Sequence, residues 1–445
     1  MPISLQKATG PQRKQLRTNT SNSGKSATPP SVLPIQRSVG FEIEVEGALL
    51  YRNIEQAYES EDPSFLDVNE FSVPAIREKE RIFEGDGFYA QADSLDFNIP
   101  YLEFATEPFE DSYEGFQRMK TVIGKLMELV GEAEKAKNPY DPYIPLKKLE
   151  LFGNIPRHHA ETIIELPSGI PKGFVQATAG IRPERLPELL EDLSTASESE
   201  PDGLRERREF GRFKMMRLND GRTGKPRDVQ WASTLRRSID TNKGFAREHH
   251  LGESARGFLS LVDFYLRLGK FGAPKYPKSF TPLLARTDFA TMFSLLPEHE
   301  RKAIADHHLF EQTPFASEFP YDAPFFEGGV YHNKTRPHRQ IMKSLSRGKW
   351  LDGIASGTDY LTAQNFPNRL RAYKLHSMGA LGKTTDLVEG QKAPILELRN
   401  INQQEPFTFW LYVAEEIFRY IYALNRGIDK KYGEPFPIPN SDQKL

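Results

Sequence analysis

Two rhythms of apolar and polar positions divide this chain: short stretches with a period of two and longer ones with a period of three to four. Between about 39 and 50, Phe41, Ile43 and Val45 alternate with Glu42 and Glu44, the pattern of a half-buried strand. Acidic, Pro-punctuated sequence follows to about 80 and reads as a loop or insertion. Residues 82–108 read as a hairpin or strand pair, in which Phe88, Ala90 and Ala92 alternate with Tyr89, Gln91 and Asp93 before Pro108 ends the second strand. Asp111-Ser112 caps a helix from about 113 to 136, with Phe116, Met119, Ile123, Leu126, Met127 and Val130 on one stripe. Strands are expected near 148–153, 160–166 and 173–181, then a helix from Leu186 to Leu193 that ends at the Ser, Glu and Pro cluster of 194–202. From 204 to 310 the period is mainly helical, interrupted by Gly-Ala-Pro-Lys-Tyr-Pro at 272–277. A strand near 394–401 precedes a helix over 406–425 striped by Phe407, Trp410, Ala414, Ile417, Phe418, Ile421 and Leu424, and Pro-rich sequence after Tyr432 reads as a tail.

The polar sides of four of these stretches share a chemistry. Strand residues two apart project the same way, about 6.6 Å apart. Glu42 therefore lies beside Glu44, Gln176 beside Thr178, and Glu397 beside Arg399, while Val175, Ala177, Leu396 and Leu398 face the other way. Glu103, in Leu102-Glu103-Phe104, completes the set. One such run is ordinarily the solvated face of an antiparallel edge. Four of them point to one shared site. Carboxylates crowded together repel by roughly 4 kcal/mol per pair 4 Å apart at an effective dielectric near 20, and their pKa values rise unless a cation relieves them. Magnesium takes oxygen ligands together with the phosphates of a substrate, and a guanidinium held beside Glu397 offers a fixed fork for a phosphoryl group.

Gly40-Phe41-Glu42-Ile43-Glu44, then Asp93-Ser94-Leu95 leading into Leu102-Glu103-Phe104-Ala105-Thr106-Glu107-Pro108, then Gln176 and Glu397-Leu398-Arg399, resemble the ordered signature of the amidoligase family. That family belongs to the carboxylate-amine ligases related to glutamine synthetase and glutamate-cysteine ligase. The resemblance spans residues 38 to 402. It implies an α+β fold, a curved antiparallel sheet with a concave ATP and metal face and helices packed behind it; the stretch from 195 to 390 carries none of the resemblance, and the helical period at about 204–310 reads as an insertion or helical half. The resemblance implies further that ATP and two or three Mg2+ ions, or Mn2+ in their place, bind that face, and that a carboxylate is phosphorylated and then captured by an amine. Glu42, Glu44, Glu103, Gln176 and Glu397 would hold the metals, with Arg399 on the γ-phosphate and Glu103, Glu397 and Arg399 catalytic. Where many amidoligases carry a histidine pair this chain has Gln176-Ala177-Thr178, and glutamate-cysteine ligases can use glutamine there. Glu107 and Asp93 are candidates for the base that deprotonates the amine.

Composition narrows the alternatives. A chain of 445 residues can bury a large core, and a site drawing on both residue 42 and residue 399 argues for one catalytic domain over about 39–430. The absence of cysteine excludes disulfides, thiolate catalysis and thiolate metal sites. With no apolar leader segment and no run of some 18 apolar residues, the expectation is a soluble protein made in the cytoplasm without a general secretory signal. Residues 1–38 hold six Lys or Arg and no acid, and read as a disordered leader, as 431–445 read as a tail. Within the leader, Val32-Leu33-Pro34-Ile35-Gln36-Arg37 is similar to short segments of effectors loaded into contractile injection systems, which implies delivery of a toxin into a target cell.

Residues 332–383 hold ten Lys or Arg against Asp352 and Asp359. On the ligase reading Arg336, Arg339, Lys343 and Lys349 would meet triphosphate or an anionic acceptor, and Gly379 to Gly382 would be a lid. The same stretch interleaves Trp350, Tyr360, Phe366 and Tyr373 with its charges, a pattern that also suits nucleic acid. Two further readings stay open: a non-catalytic effector that binds a partner through this basic face, and a guanidino-kinase-like phosphotransferase on the same fold. Adjacent histidines at 158–159, 249–250 and 307–308 are expected to point to different faces, which disfavours zinc.

Overall fold

The computed structural model describes residues 38–61, 76–77, 79–96, 99–138, 142–194, 228–270, 283–305, 312–313, 315–326, 330–333, 336–341, 345–358, 385–399, 405–428 and 436. In chain order the strands are β1 (Val39–Tyr51), β2 (Arg81–Gly85), β3 (Phe88–Asp96), β4 (Ile99–Thr106), β5 (Tyr143–Pro145), β6 (Gly153–Asn154), β7 (Ile163–Glu165), β8 (Lys172–Gly180), β9 (Leu283–Ala285), β10 (Pro324–Phe326), β11 (Val330–Asn333), β12 (Arg336–Ile341), β13 (Leu345–Ser346), β14 (Thr385–Val388), β15 (Gln391–Leu398) and β16 (Glu405–Pro406). The α-helices are α1 (Ile54–Glu61), α2 (Tyr113–Ala136), α3 (Leu186–Ser194), α4 (Asp228–Glu248), α5 (Glu253–Lys270), α6 (Phe289–Ser294), α7 (Glu298–Ala305), α8 (Arg347–Ala355) and α9 (Trp410–Arg426).

β1 forms because its odd positions, Val39, Phe41, Ile43 and Val45, are apolar and all buried, while its even positions carry the acids. It lies between β4 and β8 in an antiparallel sheet of twelve strands, ordered β14-β15-β8-β1-β4-β3-β2-β6, with β16 on β8, β7 on β1, β5 on β7 and β9 on β15. The order ends at β14 and β6, so the sheet is not closed. β10–β13 and β11–β12 are separate two-stranded pairs. The chain is thus a mixed α+β protein, and Gln36–Leu445 make one unit.

Helices cover the apolar side of the sheet. Ser112 caps α2 by accepting the Gly115 N–H at 3.0 Å, and the α2 stripe, joined by Val122, Leu129 and Ala133, is buried apart from the half-buried Met127. α9 lies against α2 and β8 through Trp410, Ala414, Ile417, Phe418 and Ile421, with the Phe116 and Phe418 rings 5.7 Å apart. Each such fully buried side chain contributes roughly 1.5–3 kcal/mol of transfer free energy. Gly427, left-handed at φ 63°, ends the helix. Phe436, assigned from sequence to the tail, is buried against Phe116 and Tyr422, so the core extends past residue 430.

Three local expectations are corrected. Residues 82–108 contain most of three strands, because Gly87 at φ +87° permits a tight turn between β2 and β3. Residues 146–152, where a strand is expected near 148–153, form a 3-10 helix: Leu146 and Leu149 are buried at a spacing of three, whereas Leu151 is exposed. Within the helical region, Leu283–Ala285 is a strand paired to β15, anchored when the Ala285 N–H donates to the Tyr265 hydroxyl at 2.7 Å. The 3-10 helix Leu146–Phe152 and the three-residue β9 are too short to show a period of their own.

Candidate functional site

The sheet register gathers the acidic positions. Glu42 on β1 sits opposite Gln176 on β8, and Glu44 sits opposite Glu103 on β4. Glu397 on β15 sits opposite Thr178, two residues along β8 from Gln176, and Gln91 on β3 sits opposite Glu103. Directly opposed residues share a face, so five adjacent strands place Gln91, Glu103, Glu44, Glu42, Gln176, Thr178 and Glu397 on one side of the sheet. This is no solvated edge: Glu103, Gln176 and Glu397 are 1%, 3% and 0% exposed.

Basic side chains stand among the acids. Arg399, just beyond β15, donates to Glu397 and, at 3.0 Å, to Glu44. Arg286, which follows β9, pairs with Glu397. Its position is locked because the Arg286 N–H donates to the Ile395 carbonyl at 2.9 Å and the Ile395 N–H to Thr287 Oγ1 at 2.7 Å. Lys79 bridges Glu103 and Asp93, the latter at 2.9 Å, and Gln91 Nε2 donates to Glu103 at 2.9 Å. Burial, then the charges of Glu103 and Glu397 and a hydrogen bond with Glu103, push the Glu42 carboxyl up to about 8. Burial would lower the Arg399 guanidinium, but Glu397 and Glu44 outweigh it and raise the group. Lys79 is likewise raised by Glu103 and Asp93 against burial.

Of the residues singled out in the sequence, Glu42, Glu44, Glu103, Gln176, Glu397 and Arg399 come together. Asp93 joins them at the margin through Lys79, whereas Glu107 is exposed beyond the end of β4. Arg336 and Arg339 lie on β12, in a pair separate from the large sheet. Lys349 is exposed on α8; Lys343, Tyr360, Phe366, Tyr373 and the Gly379–Gly382 segment lie outside the described residues. Trp350 is not available for stacking on a base: it is fully buried, edge-on to Phe289 at 5.1 Å. Sequence reasoning missed Arg286, Lys79 and Gln91. Gln91 was legible as a polar position alternating with Ala90 and Ala92; the other two depend on a three-residue strand and a turn.

The donor set suits a hard cation on two observations. Gln176 Oε1 is buried and has no hydrogen-bond partner, and the proton on Glu42 is held there by burial and then by neighbouring negative charge, which a cation would relieve. All the candidate ligands are oxygens, which fits magnesium or manganese better than soft metals. The carboxylates are spread along the sheet with cations between them. Among the described residues, the three-ligand group whose atoms all lie within 4.8 Å of one another is elsewhere: Glu80, His158 and His159. Adjacent histidines therefore do converge here, against expectation, because they sit on a 3-10 turn, Arg157–His159, with ring centroids 4.2 Å apart.

No protein-family model and no curated protein sequence matches the chain. Among solved structures, a Vibrio cholerae toxin from the MARTX/VgrG family is similar over 87% of this chain and 99% of that one, at 12% identity and a TM-score of 0.35, a likeness too low to transfer a fold or a function. Among the described residues no helix is long and apolar enough to cross a membrane.

Proposed function

We propose that the acidic sheet face is the active site of an ATP- and magnesium-dependent ligase that joins a carboxylate to an amine, as the amidoligase resemblance implies. One observation carries the reading: Glu42 and Glu44 on β1, Glu103 on β4 and Glu397 on β15 share one side of the sheet, and burial, then the charges of Glu103 and Glu397, hold the Glu42 carboxyl up to about 8. Glu42, Glu44, Glu103, Gln176 and Glu397 would hold the metal, and Arg399 and Arg286 would meet the transferring phosphoryl group. Bound magnesium supplies charge neutralisation to the triphosphate.

The remaining work belongs to the protein. Arg399 and Arg286, fixed by Glu397, cannot swing into water and so present their charge without reorganisation. A substrate carboxylate oxygen bonds to the γ-phosphorus as the bond to ADP breaks; the amine nitrogen then bonds to the acyl carbon, phosphate leaves, and the amine proton passes to a base. Asp93, half-buried at the margin and bound to Lys79, is better placed for that role than the exposed Glu107.

Calorimetric titration with a non-hydrolysable ATP analogue and magnesium tests the site without knowledge of the substrates. The native chain should bind at micromolar concentration, and binding should vanish without magnesium and in the double variant Glu42→Ala, Glu44→Ala. No binding to the native protein would leave the face without a nucleotide and favour a partner-binding effector. Product mass separates ligation from phosphotransfer to a guanidino group. Delivery as a toxin belongs to the same proposal: on expression inside a test cell the native chain should slow growth and Glu397→Gln should not, and equal growth of both counts against it.

A further inference from the structure

A second candidate metal site is built at the β2–β6 margin of the sheet, with ligands other than those of the acidic face and joined to it through Lys79, the neighbour of Glu80. Glu80 precedes β2, and the Arg157–His159 turn follows β6, the strand that pairs with β2 through Glu84 and Asn154. This pairing brings three ligand atoms together from two distant segments. Glu80 Oε1 is 3.2 Å from His159 Nε2 and 3.7 Å from His158 Nε2. Those distances match the edge of a tetrahedron, about 3.3 Å long, when metal–ligand bonds are about 2.0 Å.

His159 is the decisive residue. It is fully buried, and its Nε2 stands 3.2 Å from a Glu80 carboxylate oxygen, out of line for a good hydrogen bond. Its other nitrogen, Nδ1, lies 3.2 Å from Thr162 Oγ1. With the proton on Nδ1 and directed at Thr162, the Nε2 lone pair faces the Glu80 oxygen: two acceptors confront each other across a gap that a cation would fill. The scaffold is preformed, since the His159 N–H donates to the Pro156 carbonyl at 2.8 Å and the Thr162 N–H to the His159 carbonyl at 3.0 Å. Glu80 is oriented by the Arg77 N–H, which donates to its Oε2 at 2.9 Å and leaves Oε1 turned toward the histidines. Arg52 Nη2 approaches Oε1 at 3.6 Å, looser than the nearer histidine, and a carboxylate oxygen has a lone pair for each.

We propose that Glu80, His158 and His159 bind a borderline divalent metal of the zinc class, with two imidazoles, one carboxylate and a fourth position for water or a ligand. Nitrogen ligands separate it from the all-oxygen sheet face, where a hard cation is expected. A cleft of about 440 Å³ lined by Arg52, Arg77, Lys79 and Glu80 opens beside it, so an anionic fourth ligand would find cationic walls.

The test is titration of the metal-free full chain with zinc and, for its spectrum, with cobalt(II). One equivalent should bind, with the visible absorption of a tetrahedral cobalt centre. His158 is exposed, so His158→Ala should fold as the native chain does, yet bind at least ~100-fold more weakly, the upper end of what loss of even a supporting partner costs. Thr162→Val should weaken binding about 10-fold while the cobalt geometry persists. The double variant Glu42→Ala, Glu44→Ala should bind zinc as the native chain does, which keeps this site distinct from the sheet face. Equal zinc affinity for native chain and His158→Ala, or a cobalt spectrum of the six-coordinate aquo ion, overturns the proposal.

Discussion

Two clusters in this protein bury carboxylates against guanidinium groups, and they are balanced differently. Between α4 and α5, Asp263 pairs with Arg267 at 3.0 Å; Arg267 also reaches Glu318 at 2.7 Å, and Glu318 in turn meets Arg237. Two acids face two cations, and Asn242 adds a hydrogen bond to Asp263 at 3.4 Å. On the sheet, Glu42, Glu44, Glu103, Glu397 and Asp93 lie among Arg399, Arg286 and Lys79. Burial lifts Asp263 to about 6, whereas burial and its acidic neighbours lift Glu42 to about 8. The balanced cluster ties helix residues together; the sheet cluster holds a carboxyl protonated at neutral pH, whose proton a bound cation would displace.

The largest effect should come from breaking the balanced cluster. Arg267→Ala leaves Asp263 buried without its partner and should cost about 3–5 kcal/mol in urea unfolding, while Asp263→Leu with Arg267→Met should be close to neutral. On the sheet the sign differs. Glu42→Gln removes a carboxyl that is already protonated at neutral pH, so it should change stability by less than about 1 kcal/mol yet abolish magnesium-dependent nucleotide binding.

The pH dependence sharpens the contrast. Glu42 titrates near 8 when folded and near 4.5 otherwise, so between these values the folded chain binds more protons and stability falls as pH rises, by up to about 1.4 kcal/mol per unit. The loss is complete above pH 8 and should be absent from Glu42→Gln when unfolding is followed from pH 5 to 8.5. Asp263 gives the same sign over the narrower window from 3.8 to about 6, removed by Asp263→Asn. The smallest effect is expected of Gln176→Ala, where no hydrogen bond is lost: stability should stay within about 1 kcal/mol of native while magnesium-dependent binding weakens.

Much of the sheet was legible because strand alternation is local. Phe41-Glu42-Ile43-Glu44 states which side each residue takes, and the same holds around Gln176 and Glu397. The three-residue β9 was not legible, since Leu-Leu-Ala inside a helical region has no period, and Arg286 was lost with it. Trp350 was misread for a related reason: its neighbours Arg347 and Lys349 are basic, but on α8 the side chain turns inward while Lys349 turns outward.

By itself the sequence determined the α2 and α9 stripes and the polar identity of one side of β1, β4, β8 and β15, because these depend on periods of two and 3.6 within a single segment. Only the tertiary structure decided that Glu42 faces Gln176 and Glu44 faces Glu103, that Arg286 closes on Glu397, and that Glu80 meets two histidines from a turn nearly eighty residues away. Strand register and order bring those partners together, and register is set by packing between segments, which no local pattern carries.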